Sequence, residues 1–468
     1  MMRLTGMRQR IRAGSGWRAV AIATVLVVGG VAACSSSSSS SSSSSTPATS
    51  APATSAPATS APATSAPATA TAVPSSLGTN PATAFAYSVT NYQQFVGGSG
   101  AANPSLSPVI IGWVNEQGGP PSETFPQATL GAEATVKYIN TELGGVHGHP
   151  VKLATCFNAA VEAQGTTCGD QMVNTKGVEV IAEGLDAVGN ASMYGVLNGS
   201  IPTLVGVSAD PADDTGKNVF ELEGSGTSST VAFGPFLHAQ YPNDTTVAIA
   251  YQNLPGAVPI SQAIEKSAKS AGFTVTMIPY SSTATDLIAQ ATQMEQAQIT
   301  IPDCGFVDCP EMAKAMSEIS ATKPALSVPL WNALPGSVYP GGDLPHWIAG
   351  EATANLNSTQ DPGVAAYFKA IESAGLSPAN AINTFAAFAW GNLLLADKVL
   401  NEVPFAQLTP AAVTAKLKSY VGPMPLGPAQ INCTGTLYPA DTNSCSDYDQ
   451  FYEYEGHGQW KLLEGWTN

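Results

Sequence analysis

Seven cysteines and five histidines are the residues of this chain best equipped for covalent or metal chemistry, and their spacing decides which. Six of the cysteines fall as close pairs: Cys156 with Cys168, Cys304 with Cys309, and Cys433 with Cys445. An even count in an exported chain reads as three local disulfides. Zinc is the competing chemistry, but no pair has the C-x-x-C spacing and no histidine stands near one at ligand distance. His147 and His149, in Gly-Val-His-Gly-His-Pro, have the look of a ligand pair. They sit in a glycine-rich turn between a helix and a strand, where solvated turn residues are expected. No Gly-x-Ser-x-Gly elbow, His-Glu-x-x-His, Walker loop or Gly-x-Gly-x-x-Gly fingerprint follows the strands, so no catalytic residue and no metal or cofactor is assigned.

The seventh cysteine, Cys34, has a different setting. Arg3, Arg8, Arg10, Arg12 and Arg18 precede an apolar or small-residue run from Ala19 to Ala33, and no acid lies upstream. A basic start, a short apolar run and the small residues Val31-Ala32-Ala33 make a secretory signal, residues 1–33. Its apolar run is short for a membrane-spanning helix. With Cys34 in place the pattern resembles a bacterial lipobox. It implies cleavage before Cys34, a thioether-linked lipid on its sulfur, and a place on the extracytoplasmic face of the cell membrane. An uncleaved signal anchor is the alternative. Serines fill positions 35–45, and prolines then recur every five residues at Pro47, Pro52, Pro57, Pro62 and Pro67. Such a stretch has too little apolar area to offset chain entropy. Residues 34–108 are therefore expected to be a disordered tether, whose composition also permits O-glycosylation.

The formal charge is −16, and losing the five signal arginines takes it to −21. This argues against nucleic acid and against polybasic membrane docking. Either solubility or a cationic ligand would account for it. From Ser107 onward the length suits two to three domains.

Several elements are needed to position a site. Val109–Val114 is an apolar run, and Gln127 to Leu143 carries apolar residues at helical spacing before Gly144-Gly145. Strands are expected at Val151–Thr155, Val178–Ala182 and Ile201–Val205, with helices from Ala159 to Val173 and from Asn190 to Leu197. This βαβαβαβ order makes a parallel sheet covered on both faces. The pattern restarts with a helix from Val231 to Gln240, a strand from Thr245 to Ala250, a helix from Ile260 to Ala271 and a strand from Phe273 to Ile278. Thr283 to Asp286 reads as a capping box, Pro310 to Ser320 as a helix and Ser327 to Trp331 as a strand. Asp361-Pro362, Ser377-Pro378 and Thr409-Pro410 each announce a later helix. The fold class is α/β, with two Rossmann-like lobes.

The stretch Gly131-Ala-Glu-Ala-Thr-Val-Lys-Tyr-Ile-Asn-Thr-Glu-Leu-Gly-Gly-Val-His-Gly148 resembles the first helix and turn of type I periplasmic binding proteins, the branched-chain amino acid-binding group. Exported members often carry a cysteine pair like Cys156 and Cys168. The resemblance continues through Ile201–Pro211, Val247–Gly272 and Pro310–Ser320. It implies two lobes joined by three crossovers, a small ligand between them, and the membrane subunits of an ABC importer as partner. Lobe 1 would hold residues 109–229 plus about 357–435, and lobe 2 residues 230–356 plus about 436–468. A monomer is expected.

Family contacts carried over position by position put the carboxylate-binding serine at Ala187 and the head-group loop at Ser208, Ala209 and Asp210. The covering aromatic falls at Pro255, a tyrosine at Asp308, the ammonium-binding acid at or beside Asn332, and a first-lobe loop residue near Thr124 or Phe125. The serine, both tyrosines and the acid are absent. Asp186, Asp210, Asp308 or Glu311 could supply the missing charge, and Trp331 a missing aromatic wall. Loops at the carboxyl ends of the strands, Asp186–Gly189 and Gly206–Asp210, would offer backbone N–H groups to a ligand carboxylate. An amino acid or related solute is the expected ligand. A ligand sensor signalling to a membrane partner, or an exported enzyme, is the alternative.

Overall fold

The computed structural model describes residues 73–119, 124–206, 208–254, 256–281, 283–304, 308–327 and 347–468. Its first folded residues come earlier than the composition suggests. Residues near 75–78 lie along the C-terminal strand, with the Leu77 N–H donating to the Trp466 carbonyl at 3.0 Å. Two short helices follow, α1 (Pro81–Ala84) and α2 (Tyr92–Val96), capped by the side chains of Asn80 and Asn91. The expectation of a disordered tether through residue 108 is therefore corrected from residue 73 onward. Leu77, Phe85, Tyr92, Phe95 and Val96 are buried there, giving apolar area that the serine and proline repeats lack.

The first sheet is wholly parallel. Its strands are β1 (Val109–Glu116), β2 (Val151–Asn158), β3 (Val178–Glu183), β4 (Thr203–Val205) and β5 (Val219–Glu221), in the order β2-β1-β3-β4-β5. Helices α3 (Pro126–Glu142), α4 (Glu162–Asn174) and α5 (Asn190–Leu197) connect the first four. The chain then passes through α6 (Phe233–Gln240) into a second sheet. This one alternates β6 (Thr246–Gln252), α7 (Ala257–Ser270), β7 (Thr274–Tyr280), α8 (Ile288–Met294), β8 (Ile299–Asp303), α9 (Cys309–Glu318), β9 (Ala325–Ser327) and β10 (Trp347–Glu351). The expected capping box at Thr283 does not form. The Asp286 carboxylate instead accepts from the Ile288 N–H at 3.0 Å, so the helix begins later. The strand expected over Ser327–Trp331 is described as β9, ending at Ser327; Trp331 lies outside the described residues.

The chain next returns to the first core as α10 (Pro362–Ser373), α11 (Pro378–Ala381), α12 (Thr384–Glu402) and α13 (Pro410–Leu417), followed by the small pair β11 (Val421–Gly422) and β12 (Ile431–Asn432). Asp361 and Thr409 cap their helices through their side chains, while Ser377 occupies its cap position without a side-chain bond. The last crossing delivers β13 (Asp449–Gly456) and β14 (Gln459–Thr467), which complete the second sheet in the order β14-β13-β10-β9-β8-β6-β7. The chain therefore crosses between the two α/β lobes three times.

The lobe cores are separate. One unites Trp113 and Ile111 of β1 with most of α12, which is buried nearly all round. Gly131 lets α3 approach α12: a Cβ there would lie 2.6 Å from the Ala386 Cα. The other lobe packs apolar residues on both faces of its sheet, around Met312 and Tyr454 on one and Phe233 and Phe451 on the other. All three cysteine pairs are disulfides. The two that span about a dozen residues are worth about 3 kcal/mol each in the loop-entropy account. No described helix is long and apolar enough to cross a membrane.

Candidate functional site

Polar residues close the apolar strands of the first lobe, and together they form one buried network at the carboxyl edge of the sheet. Asn115 and Glu116 end β1, Asn158 ends β2 and Glu183 ends β3; all four are at most 1% exposed. The Asn115 amide donates to the Phe125 carbonyl at 2.9 Å and accepts from the Leu185 N–H at 3.1 Å, tying two strand-end loops together. The Asn158 amide donates to Asp186 Oδ1 at 3.1 Å and to the Val188 carbonyl. Gly189 must be glycine: its φ is +125°, and a Cβ would sit 2.2 Å from Asn158 Nδ2.

Behind these loops, Asn190 and Tyr194 of α5 bind two carboxylates at once. Asn190 Nδ2 donates to Glu183 Oε2 at 3.1 Å and to Asp213 Oδ1 at 2.8 Å. The Tyr194 hydroxyl lies 3.0 Å from Glu183 Oε1 and 2.7 Å from Asp213 Oδ1. Burial, with Asp213 and Asp186 adding repulsion, holds Glu183 well above the usual carboxylate range. Burial likewise pushes Asp213 up to about 7, against the hydrogen bonds from Tyr194 and Asn190. Asp186 rises to about 8, through burial first and the nearby Glu116 charge second.

This network answers the expectation that the loops would offer N–H groups to a ligand carboxylate. Asp213 Oδ2 accepts from the N–H groups of both Ala209 and Asp210 at 3.2 Å, and Glu116 Oε2 accepts from the Ala187 N–H at 2.9 Å. These three donors serve the protein's own carboxylates. No arginine follows Arg18, so residues 19–468 hold no guanidinium fork to clamp a ligand carboxylate.

The second lobe repeats the chemistry. Asp303 ends β8, is 8% exposed and accepts from the Ser261 hydroxyl of α7. Burial pushes it up to about 6, against that hydrogen bond. Asp308, at the N-terminus of α9, accepts from the Tyr280 hydroxyl. The Cys304–Cys309 disulfide pins the same helix start. Glu311 is exposed in the first turn, where its charge suits the helix dipole.

Among the predicted residues, Ala209 comes close to the other lobe: a Cβ on Gly256, at the start of α7, would lie 4.0 Å from its carbonyl oxygen. Ala187 is exposed and Ser208 and Asp210 are half-buried on the same edge. Thr124 uses its hydroxyl on the Gly118 N–H at 3.0 Å. Asp186 and Asp308, offered as replacement ammonium ligands, are buried and bonded inside their own lobes. Pro255, Trp331, Asn332 and Cys34 lie outside the described residues. The sequence reading missed Glu116, Asn158, Glu183, Asp213 and Asp303. A signal existed for four of them, since each is the polar residue that closes an apolar strand run.

Backbone carbonyls hold the two histidines of the glycine-rich turn. His147 Nε2 and His149 Nδ1 each pair with a backbone carbonyl at 2.7 Å, and His149 stacks on Phe405. A hollow of about 440 Å³ beside His147, lined also by Gly97, Gly144, Lys398 and Glu402, opens near the start of β2, away from the strand ends described above.

Three crossovers meet beside the network, and hydrogen bonds join them. The Thr353 hydroxyl donates to Glu223, Gln450 Nε2 to the Thr353 carbonyl at 3.1 Å, and the Ser228 hydroxyl to the Ser446 carbonyl at 3.0 Å. Two α/β lobes on a triple hinge, with polar strand ends on both, define a two-lobed binding protein. A sequence model of the periplasmic binding protein family matches residues 108–439, and the chain belongs to that family, in its type I form. The family is one of solute-binding proteins of ABC transporters, which are not enzymes.

Solved structures share the fold. A solute-binding protein from R. palustris in complex with 4-hydroxybenzoate is 15% identical, with a TM-score of 0.59 over 76% of this chain and 96% of that one. A substrate-binding protein from Desulfitobacterium hafniense in complex with Leu is 16% identical, with a TM-score of 0.59 over 76% and 100%. A fatty acid ABC transporter substrate-binding protein from Thermomonospora curvata is 13% identical, with a TM-score of 0.59 over 79% and 95%. No curated protein matches the chain in sequence.

Proposed function

We propose that this chain is an extracytoplasmic lipoprotein that binds a small polar solute, an amino acid or related compound, between its lobes and delivers it to an ABC importer. Membership of the family supports the solute and the transporter. One observation narrows the chemistry: three loop N–H groups of the first lobe are held by Asp213 and Glu116. With those N–H groups spent inside the lobe, this side offers little to a solute carboxylate, so the solute is expected to present an amine, amide or hydroxyl here.

Mass spectrometry of the solute that copurifies with the protein tests this reading. A compound rich in donors is expected, and a simple carboxylic acid without them would contradict it. The anchor is tested separately. Cys34→Ala should release the protein from membranes or leave the precursor uncleaved; unchanged processing and attachment would remove the lipid from the account.

A further inference from the structure

Away from the strand-end network, three carboxylates converge from separate pieces of chain. Asp214 lies in the short turn Asp213–Thr215, Glu221 is the last residue of β5, and Asp441 lies in the loop closed by the Cys433–Cys445 disulfide. One oxygen from each lies within 4.8 Å of the other two. Glu221 is 0% exposed, and no N–H or hydroxyl group reaches either of its carboxylate oxygens, which face only the carboxyl groups of Asp441 and Asp214. Asp441 is 4% exposed; its Oδ1 accepts from the N–H groups of Asn443 and Ser444, and its Oδ2 has no partner. A buried carboxylate with both oxygens unsatisfied is costly, because nothing replaces its lost hydration.

We infer that Asp214, Glu221 and Asp441 bind a divalent cation, calcium in kind, that fastens the C-terminal disulfide loop to the edge of the first sheet. The donors are all hard oxygens. The cluster has no histidine, and Cys433 and Cys445 are spent in their disulfide, so zinc has no preferred ligand here. Calcium takes 6–8 oxygens at 2.3–2.6 Å, so two on opposite sides of one ion stand about 5 Å apart. The observed spread fits one shared ion, with water or backbone carbonyls completing the shell. Half-buried Asp214 gives the route in. Without a cation, burial and the neighbouring Asp441 and Asp214 push Glu221 up to about 11, so a proton is the competing occupant.

The location gives the ion a mechanical role. Glu221 pairs with Ser444 of the disulfide loop, and Asn443 Nδ2 donates to the carbonyls of Asp213 at 2.7 Å and Gly216 at 2.8 Å. The chain leaves the first lobe directly after Glu221, and the Ser444 and Ser228 hydroxyls bond at 2.7 Å. The cation therefore braces the point where two of the three crossovers depart. This inference does not depend on the identity of the solute.

The test uses the full chain, freed of metal with a chelator and titrated calorimetrically with calcium chloride at pH 7.5, with magnesium chloride in parallel. One calcium per chain and a rise of several degrees in unfolding temperature are expected. Glu221→Gln should weaken calcium binding at least tenfold yet unfold, in chelator, no earlier than the parent, because its amide removes the repulsion. Asp441→Asn, which keeps the Oδ1 acceptor, should weaken binding as well. Absence of both calcium heat and any calcium-dependent shift would overturn the site in favour of the shared proton. Calcium binding unaffected by both substitutions would overturn the residue assignment, and tighter magnesium binding would overturn the calcium assignment.

Discussion

At the residue scale, Asp213 carries two duties: one oxygen holds the Ala209–Asp210 loop, and the other meets Tyr194 and Asn190. Asp213→Ala should strand buried partners on both sides and cost about 2–4 kcal/mol, as breaking a buried polar network does. Chemical denaturation measures that loss, and solute affinity should fall with it as the loop loosens; a variant as stable as the parent would contradict the role. The acids also set a pH dependence. Asp303 has its pKa raised to about 6 by burial, against 3.8 ordinarily. Between those values the folded chain keeps a proton that the unfolded chain has lost. Its contribution is full below pH 4 and is lost as pH rises through 6, about 3 kcal/mol in all. Asp186, raised to about 8, extends the decline toward neutral pH. Thermal unfolding should show lower stability at pH 8 than at pH 5, and Asp303→Asn should flatten the acidic part of the curve. Little of this was legible in the sequence. That Asn115, Glu116, Asn158 and Glu183 end strands can be read from the pattern. That Glu116 and Asp213 reach the very N–H groups a ligand would use depends on loops packed from positions about seventy residues apart and four residues apart alike.

At the element scale, regular periodicity was readable and irregular packing was not. The helix from Asn190 to Leu197 matches its expected span, and the proline-led helices begin at Pro362, Pro378 and Pro410. Helix α12 has apolar residues on every side and no amphipathic stripe, so periodicity could not announce it. The segment before β1 was misjudged because its upstream repeats dominate the composition, although Tyr92 and Phe95 are core residues. Tyr92 meets Trp390 edge-on at 5.1 Å, and Trp390 also packs on Tyr138 and Tyr367. Tyr92→Ala should therefore destabilise the protein by about 3–5 kcal/mol, the range for losing a large aromatic from a core. A change within a few tenths of a kcal/mol in urea unfolding would show that the segment is an appendage.

At the scale of the whole molecule, residues 73–108 touch both lobes: Leu77 pairs with β14 of the second, and Tyr92 packs in the core of the first. The segment thus adds a fourth link beside the three crossovers. Closure still depends on the difference in solute affinity between open and closed forms. Spin labels at Glu133 on α3 and Lys314 on α9, both exposed, report that movement directly. The distance between them should be measured in protein stripped of its solute, then with the solute extracted from the same preparation added back. A shift to a shorter, narrower distribution on addition is the predicted result. An unchanged distribution in the presence of demonstrably bound solute would contradict binding between closing lobes.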